Sequence, residues 1–289
     1  MNTKRVLVKV MFSLFFAVFV AASAQAETTT CTAITSLPKV ITAPGVYCLT
    51  GDLTTSMTSG KAIEIQANNV VLDLNGHRLG GLAAGAGTQA YGIYAYQRQN
   101  ITIRNGTVRG FVTGIYLDDA YAPPYTTFTS QGHIIEEIRA DMNTNFGMLI
   151  VGRGNIVRNN VVMYTGGTTL NAGAYGIDTF GPGNRVINND VYETKEQTGG
   201  VAYAIFIQAG QSSVVANNRV GNLALGPGTS TGIQVYASFN VSVKDNSISM
   251  MYYGIYFSSS TGLYMNNLTS GCSFPFTGGT VAGSTNFSN

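Results

Sequence analysis

The chain has 289 residues, a length that suits one all-β domain plus a leader, and 10% of them are charged. Three of its 16 basic residues (Lys4, Arg5 and Lys9) and none of its 14 acids fall in the first 26 positions, so the remainder is almost neutral. That balance, with no clustered basic face, excludes nucleic acid as a partner.

Residues 1–26 read as a cleaved signal peptide. The three basic residues precede an apolar run over residues 11–22, and Ala24-Gln25-Ala26 is a small-x-small cleavage site. No later stretch is apolar for long enough to span a membrane. The sequence therefore places the mature protein outside the cytoplasm, secreted or periplasmic. Export favours a disulfide. Cys31 and Cys48 flank a short segment and are expected to pair, leaving Cys272 over.

An internal repeat organises the rest. A small residue followed by an apolar one recurs at Ala62-Ile63, Gly92-Ile93, Gly114-Ile115, Gly147-Met148, Gly176-Ile177, Ala204-Ile205, Gly232-Ile233 and Gly254-Ile255. The mean step is about 27 residues, a solenoid period. Each unit has a second apolar run, such as Val70-Val71-Leu72, Ile101-Thr102-Ile103 or Val186-Ile187. An Asn or a close substitute follows the run, 11 or 12 residues after the repeat Ile or Met in seven units. In the third unit Glu136 follows Ile115 by 21 residues, and residues 120–130, with Pro123-Pro124, read as an inserted loop.

The segments 91–96 and 100–104 alternate with period two and are rich in β-branched and aromatic residues, which marks strands. Units this short cannot hold the four antiparallel strands of a propeller blade. They fit one turn of a coil, each strand pairing with its counterpart a rung away. The expected fold is all-β, a single-stranded right-handed parallel β-helix of about eight rungs over residues 61–270. Residues 27–60 are expected to form an N-terminal cap and residues 271–289 to cover the other end. The repeated Asn is explained by bends, where stacked amides form ladders and Asn accepts left-handed backbone.

The stretch from Cys31 through Pro44-Gly45-Val46-Tyr47-Cys48-Leu49, followed by Asn69-Val70-Val71-Leu72-Asp73-Leu74-Asn75-Gly76-His77, resembles the opening rungs of the pectate-lyase-like β-helix superfamily. The repeats extend the resemblance over residues 61–270. It implies a carbohydrate substrate, often an acidic polysaccharide, but fold alone does not fix a reaction. Of the motifs of polygalacturonase-like hydrolases only Asp118-Asp119 matches. The Asp-Pro-His of alginate epimerases and the Arg-x-Pro-x-x-Arg of pectate lyases are absent.

Strand alternation defines the outward side chains. With Ile63 and its equivalents inward, one column reads Glu64, Tyr94, Tyr116, Leu149, Asp178, Phe206, Gln234 and Tyr256. The next reads Gln66, Tyr96, Asp118, Val151, Phe180, Gln208, Tyr236 and Ser258. From these, Tyr94, Tyr96, Tyr116, Phe180, Phe206, Gln208, Gln234 and Tyr236 are candidate sugar-binding residues, since rings stack on pyranose faces and amides bind hydroxyls. The same rings would also stack on one another down an ordinary sheet. Asp118 or Asp119 with Asp178 is the candidate carboxylate pair for inverting hydrolysis, and His133, beside the insertion, is a candidate acid–base group. An eliminating lyase would need a base and a cation, which Tyr116, Arg98, Arg153, Arg185 and Lys195 could supply. No cofactor is indicated and no metal-ligand cluster is seen; calcium is left open only by scattered acids. The sequence thus favours a secreted polysaccharide lyase or glycoside hydrolase. The alternative is a non-catalytic glycan-binding or envelope/matrix β-helix. Oligomeric state is not readable.

Overall fold

The inward Ile or Met of every repeat unit is fully buried, and these side chains stack one above another along the axis of a parallel β-helix. The computed structural model describes residues 30–120, 127–168, 170–281 and 285–289. The signal segment and the Pro123-Pro124 part of the insertion lie outside the described residues. Burying each such side chain contributes about 1.5–3 kcal/mol relative to exposure. The small residue before it is required by packing: a Cβ on Gly92 would lie 2.4 Å from the Gly114 carbonyl oxygen, and one on Gly147 2.6 Å from that of Gly176.

Three strand faces run the length of the coil. The first contains ten parallel strands in chain order: Lys39–Ile41, Lys61–Ile65, Tyr91–Tyr96, Thr113–Asp118, Phe146–Val151, Ala174–Phe180, Val201–Gln208, Thr229–Tyr236, Tyr253–Ser258 and Phe274–Thr277. The stack therefore extends one turn beyond the eight repeat units at each end. Lys39 pairs in register with Ile63, and Phe276 with Ile255, so both outer turns lack the small–Ile signature that marks the others. The second and third faces are separated by the Asn bend. In Ile156–Arg158 and Val161–Met163, for example, one strand lies on each side of Asn159-Asn160. Strands Ile101–Arg109 and Ile134–Asp141 pass through this bend unbroken, with left-handed residues at Asn105 and Glu137.

The paired Asn residues divide the work. The first takes left-handed backbone, with φ of 56° at Asn159, 57° at Asn188 and 56° at Asn217, and Asp245 does the same at 58°. The second points inward and builds a ladder through Asn160, Asn189, Asn218, Asn246, Asn267 and Asn286. From Asn189 onward, each Oδ1 accepts both the backbone N–H and the side-chain amide of the Asn one rung earlier, at 2.9–3.0 Å, and Asn160 Oδ1 accepts the Ile138 N–H at 2.9 Å. Near the N-terminus, Cys31 and Cys48 form a disulfide with Cα atoms 5.7 Å apart. Cys272 is a half-buried free thiol. Among the described residues no helix is long and apolar enough to cross a membrane.

Candidate functional site

Both outward columns are realised. Strand register pairs Glu64, Tyr94, Tyr116, Leu149, Asp178, Phe206, Gln234 and Tyr256 in sequence along the first face. Two positions on, Tyr96 pairs with Asp118, and Val151, Phe180, Gln208, Tyr236 and Ser258 follow in a second file.

The rings in these files largely cover one another. Tyr94 and Tyr116 meet edge to face at 5.4 Å, with Tyr91 against both. Phe206 stacks on Tyr203 at 4.5 Å and contacts Tyr175 and Tyr236. Phe206 and Gln234 are consequently buried, while Tyr96 and Tyr236 keep 41% and 46% of their surface open. Phe180 lies against Phe128. Open aromatic surface therefore gathers at the far edge of the face, where the chain turns toward the second face.

The four candidate acid–base residues sit in different environments. Asp118 is half-buried; its Oδ2 accepts the Tyr94 hydroxyl at 3.2 Å and its Oδ1 the Asp119 N–H at 2.9 Å. Tyr116, edge-on to Tyr94, stands within the influence of the same carboxylate. Burial, reinforced by the Asp118 charge, pushes both tyrosines above their ordinary range, so both remain protonated donors. Asp119 is buried and accepts the backbone N–H groups of Thr129 (2.7 Å) and Ser130 (2.9 Å), anchoring the end of the insertion. Asp178 is also buried; both its oxygens accept the Gln208 amide, at 2.9 and 3.1 Å, and burial raises its pKa to about 7. Asp118 and Asp178 are two rungs and two strand positions apart, roughly 12 Å between backbones from the spacing of strands and residues.

His133 is a ladder residue. Its Nδ1 accepts the Ile101 N–H at 3.1 Å, its Nε2 faces Ser130 Oγ at 2.9 Å, and its own N–H donates to Asn155 Oδ1 at 2.9 Å. Asn155, Asn184 and Ser213 continue the same file. Although Asp119, Ser130 and His133 are neighbours, they do not form a nucleophilic triad: Nδ1 is held by backbone rather than carboxylate, and Ser130 is buried.

Beyond the far edge of the face lies an open groove of 540 Å³, which the sequence reading did not find. It runs along the corner between the first and second faces and is lined by Gln131, Arg153 and Gln211 over a floor of glycines. Arg153 is exposed, and its Nε donates to Gln131 Oε1 at 2.8 Å. Arg98 stands on the same corner, its Nε on the Tyr96 carbonyl at 2.8 Å. Neither guanidinium joins an ion pair among the described residues. Among those residues no group of three or more His, Cys, Asp or Glu side chains could hold a metal.

A family model described as a right-handed β-helix region matches residues 165–288. Solved structures with the same fold include the tailspike protein of Dettilon, at 15% identity and a TM-score of 0.63, covering 83% of this chain and 47% of that one. The enzymatically active domain of tailspike protein 2 from bacteriophage CBA120 matches at 15% identity and 0.61, covering 84% and 39%. A periplasmic alginate epimerase matches at 14% and 0.51, covering 84% and 60%. The chain thus spans less than two thirds of each of these proteins. No curated protein sequence matches the chain. The fold is a right-handed parallel β-helix.

Proposed function

We propose that this is an exported, carbohydrate-active β-helix protein that takes a polysaccharide along the helix axis, at the far edge of the first face, and cleaves it there. The observation that carries the reading is the alignment along that edge of open rings (Tyr96, Tyr236), a half-buried carboxylate (Asp118) and an open groove lined by Gln131, Arg153 and Gln211. The tailspike and alginate-epimerase neighbours support a carbohydrate ligand, and the disulfide supports export. Asp118 is the acid–base group, with Tyr94 and Tyr116 as hydrogen-bond donors. Elimination fits better than inverting hydrolysis, because it needs one base and a cation rather than two facing carboxylates. Strand register places Arg98 two residues past Tyr96, the partner of Asp118.

One observation favours the second reading, a glycan binder without turnover: Asp119 and Asp178 are sealed inside, so neither supplies an open second carboxylate. Incubation with a polysaccharide panel separates the readings. Absorbance of unsaturated ends marks elimination, and new reducing ends without that absorbance mark hydrolysis. Saturable binding with neither product identifies a binder. Cleavage unchanged in Asp118→Asn removes the assigned acid–base group, and absence of both binding and products across the panel ends the carbohydrate reading.

A further inference from the structure

On the second face, the outward side chains form two files side by side. Over its second to fifth turns, strands Val70–Asp73, Ile101–Arg109, Ile134–Asp141 and Ile156–Arg158 pair in register. One file reads Val71, Thr102, Ile134 and Ile156, all half-buried. Three aliphatic side chains in four are unusual where an outer sheet face meets water, since such faces ordinarily alternate to polar residues. The other file, two residues on, reads Asp73, Arg104, Glu136 and Arg158, so charge alternates negative, positive, negative, positive along the axis. Within the chain, Arg104 Nε donates to Asp73 at 2.9 Å and Arg158 Nε to Glu136 at 2.8 Å. Both guanidinium-bearing side chains stay open, at 39% and 42% exposure, while their carboxylate partners are largely covered. The charged run is confined to these four turns: Cys48, in the disulfide, precedes Asp73 in the file, and Ile187 and Ala216 follow Arg158.

A file with that order of charges is complementary to its own reverse. Consider a second copy related by a two-fold axis parallel to the strands, passing between the third and fourth turns. Its helix axis then runs in the opposite direction, and each file lies on its own counterpart. Asp73 faces Arg158 of the second copy and Arg104 faces Glu136 of the second copy, each pairing occurring twice. Beside them Val71 meets Ile156 of the second copy and Thr102 meets Ile134 of the second copy. Other arrangements are disfavoured. A shift of one turn sets Asp73 against Glu136 and Arg104 against Arg104, or Glu136 against Glu136. A two-fold along the helix axis sets each charge against itself or presses the charges onto the aliphatic file. Like charges across an interface, and charges buried against apolar groups, both cost free energy. Two sheets packed face to face with nearly aligned strands are common, and a two-fold contact of one patch with itself is the commonest form of self-association. We propose that this patch is a homodimer interface with antiparallel helix axes, its register set by Asp73, Arg104, Glu136 and Arg158. Four turns span roughly 14 Å of axis, a smaller patch than the ~800 Å² per partner of a standard interface, so the dimer is reversible and concentration-dependent. The inference goes beyond the carbohydrate reading and does not depend on it.

The test is sedimentation equilibrium of the full chain from low-micromolar to near-millimolar concentration, with two charge reversals. Arg104→Glu turns the file into negative, negative, negative, positive, and Glu136→Arg turns it into negative, positive, positive, positive. Each variant alone sets like charges across the two-fold, whereas one copy of each together restores every opposite pairing. The expected result is a wild-type monomer–dimer equilibrium that weakens as salt is added. Each reversal alone loses about tenfold or more in self-association, and the equimolar mixture regains the dimer. Thermal melts confirm that the variants are folded. Arg104→Gln, which introduces no repulsion within the chain, carries the test if a reversal does not fold, and is expected to weaken the dimer to a smaller extent. A wild type that stays monomeric across the range, or that forms a trimer or larger assembly, overturns the proposal. So does a dimer that the Arg104 and Glu136 variants leave intact, or one that folded reversal variants fail to regain on mixing.

Discussion

His133 Nδ1 accepts the backbone N–H of Ile101 at 3.1 Å across 32 residues of sequence. The bond requires an unprotonated Nδ1, and burial agrees, lowering the pKa from 6.5 to about 4. A depressed folded-state pKa means that the unfolded chain binds the proton more readily. The contribution is fully present above pH 6.5 and is lost as pH falls toward 4. His133→Asn, which copies Asn155 one rung on, is expected to unfold in urea with a shallower acid dependence than wild type. His133→Ala is expected to cost about 1–3 kcal/mol at pH 7 by leaving the Ile101 N–H unpaired. An identical acid slope in His133→Asn would show that another group controls it.

Adjacent asparagines should respond differently. Asn189→Ala removes the acceptor for two Asn160 donors and the donor to the Val157 carbonyl. Its expected cost is about 2–4 kcal/mol, several buried groups losing partners together. Asn188→Gly keeps the left-handed bend and should cost only a few tenths, whereas Asn188→Ala keeps the Cβ but loses the short polar side chain that lets asparagine adopt that backbone, at a cost of about 1–2 kcal/mol. Equal losses at positions 188 and 189 in chemical denaturation would contradict the division of labour.

Asp178 predicts the opposite pH trend to His133. Its pKa is raised from 3.8 to about 7 because burial disfavours the charge, against a smaller lowering by the Gln208 amide. The folded state holds the proton more tightly, so its relative stability is greatest below pH 3.8 and declines as pH rises through 7. Asp178→Asn should therefore match wild type in acid and exceed it in melting temperature at pH 8. A variant less stable than wild type at pH 8 would mean that the buried charge is compensated.

The Cys31–Cys48 link closes a 17-residue separation. Replacing both cysteines with serine should cost about 3 kcal/mol, on the loop-entropy scale. Burial raises the Cys272 thiol pKa. In the native protein it should label with a thiol reagent far more slowly than in urea, and equal rates would place it in solvent.

The fold was legible because its signal is repeated. Small–Ile pairs placed Ile93 over Ile115 and Asp178 over Phe206, as the strands register them. The Asn pairs announced the bends, and Cys31 and Cys48 their bond. The outer turns were hidden because Lys39 and Phe276 stand where the repeat has Ile. Site chemistry was harder to read. Outward alternation correctly faced Asp178 away from the core, yet its Gln208 partner one rung on and the neighbouring packing seal it. His133 entered a ladder otherwise built from amides and hydroxyls, which residue type alone does not disclose. The glycine-floored groove was missed because corner segments differ in length, so Gly132, Gly154 and Gly183 align only once the rungs are stacked.

The uninterrupted amide file from Asn160 to Asn286 links each turn only to its neighbours. Such an assembly opens by fraying from its exposed ends, and its middle is the last part to exchange backbone hydrogens. Gly132, Gly154 and Gly183 follow the fourth, fifth and sixth of the ten turns. The groove thus occupies the segment least disturbed by breathing at either terminus, and its spacing holds while the ends loosen.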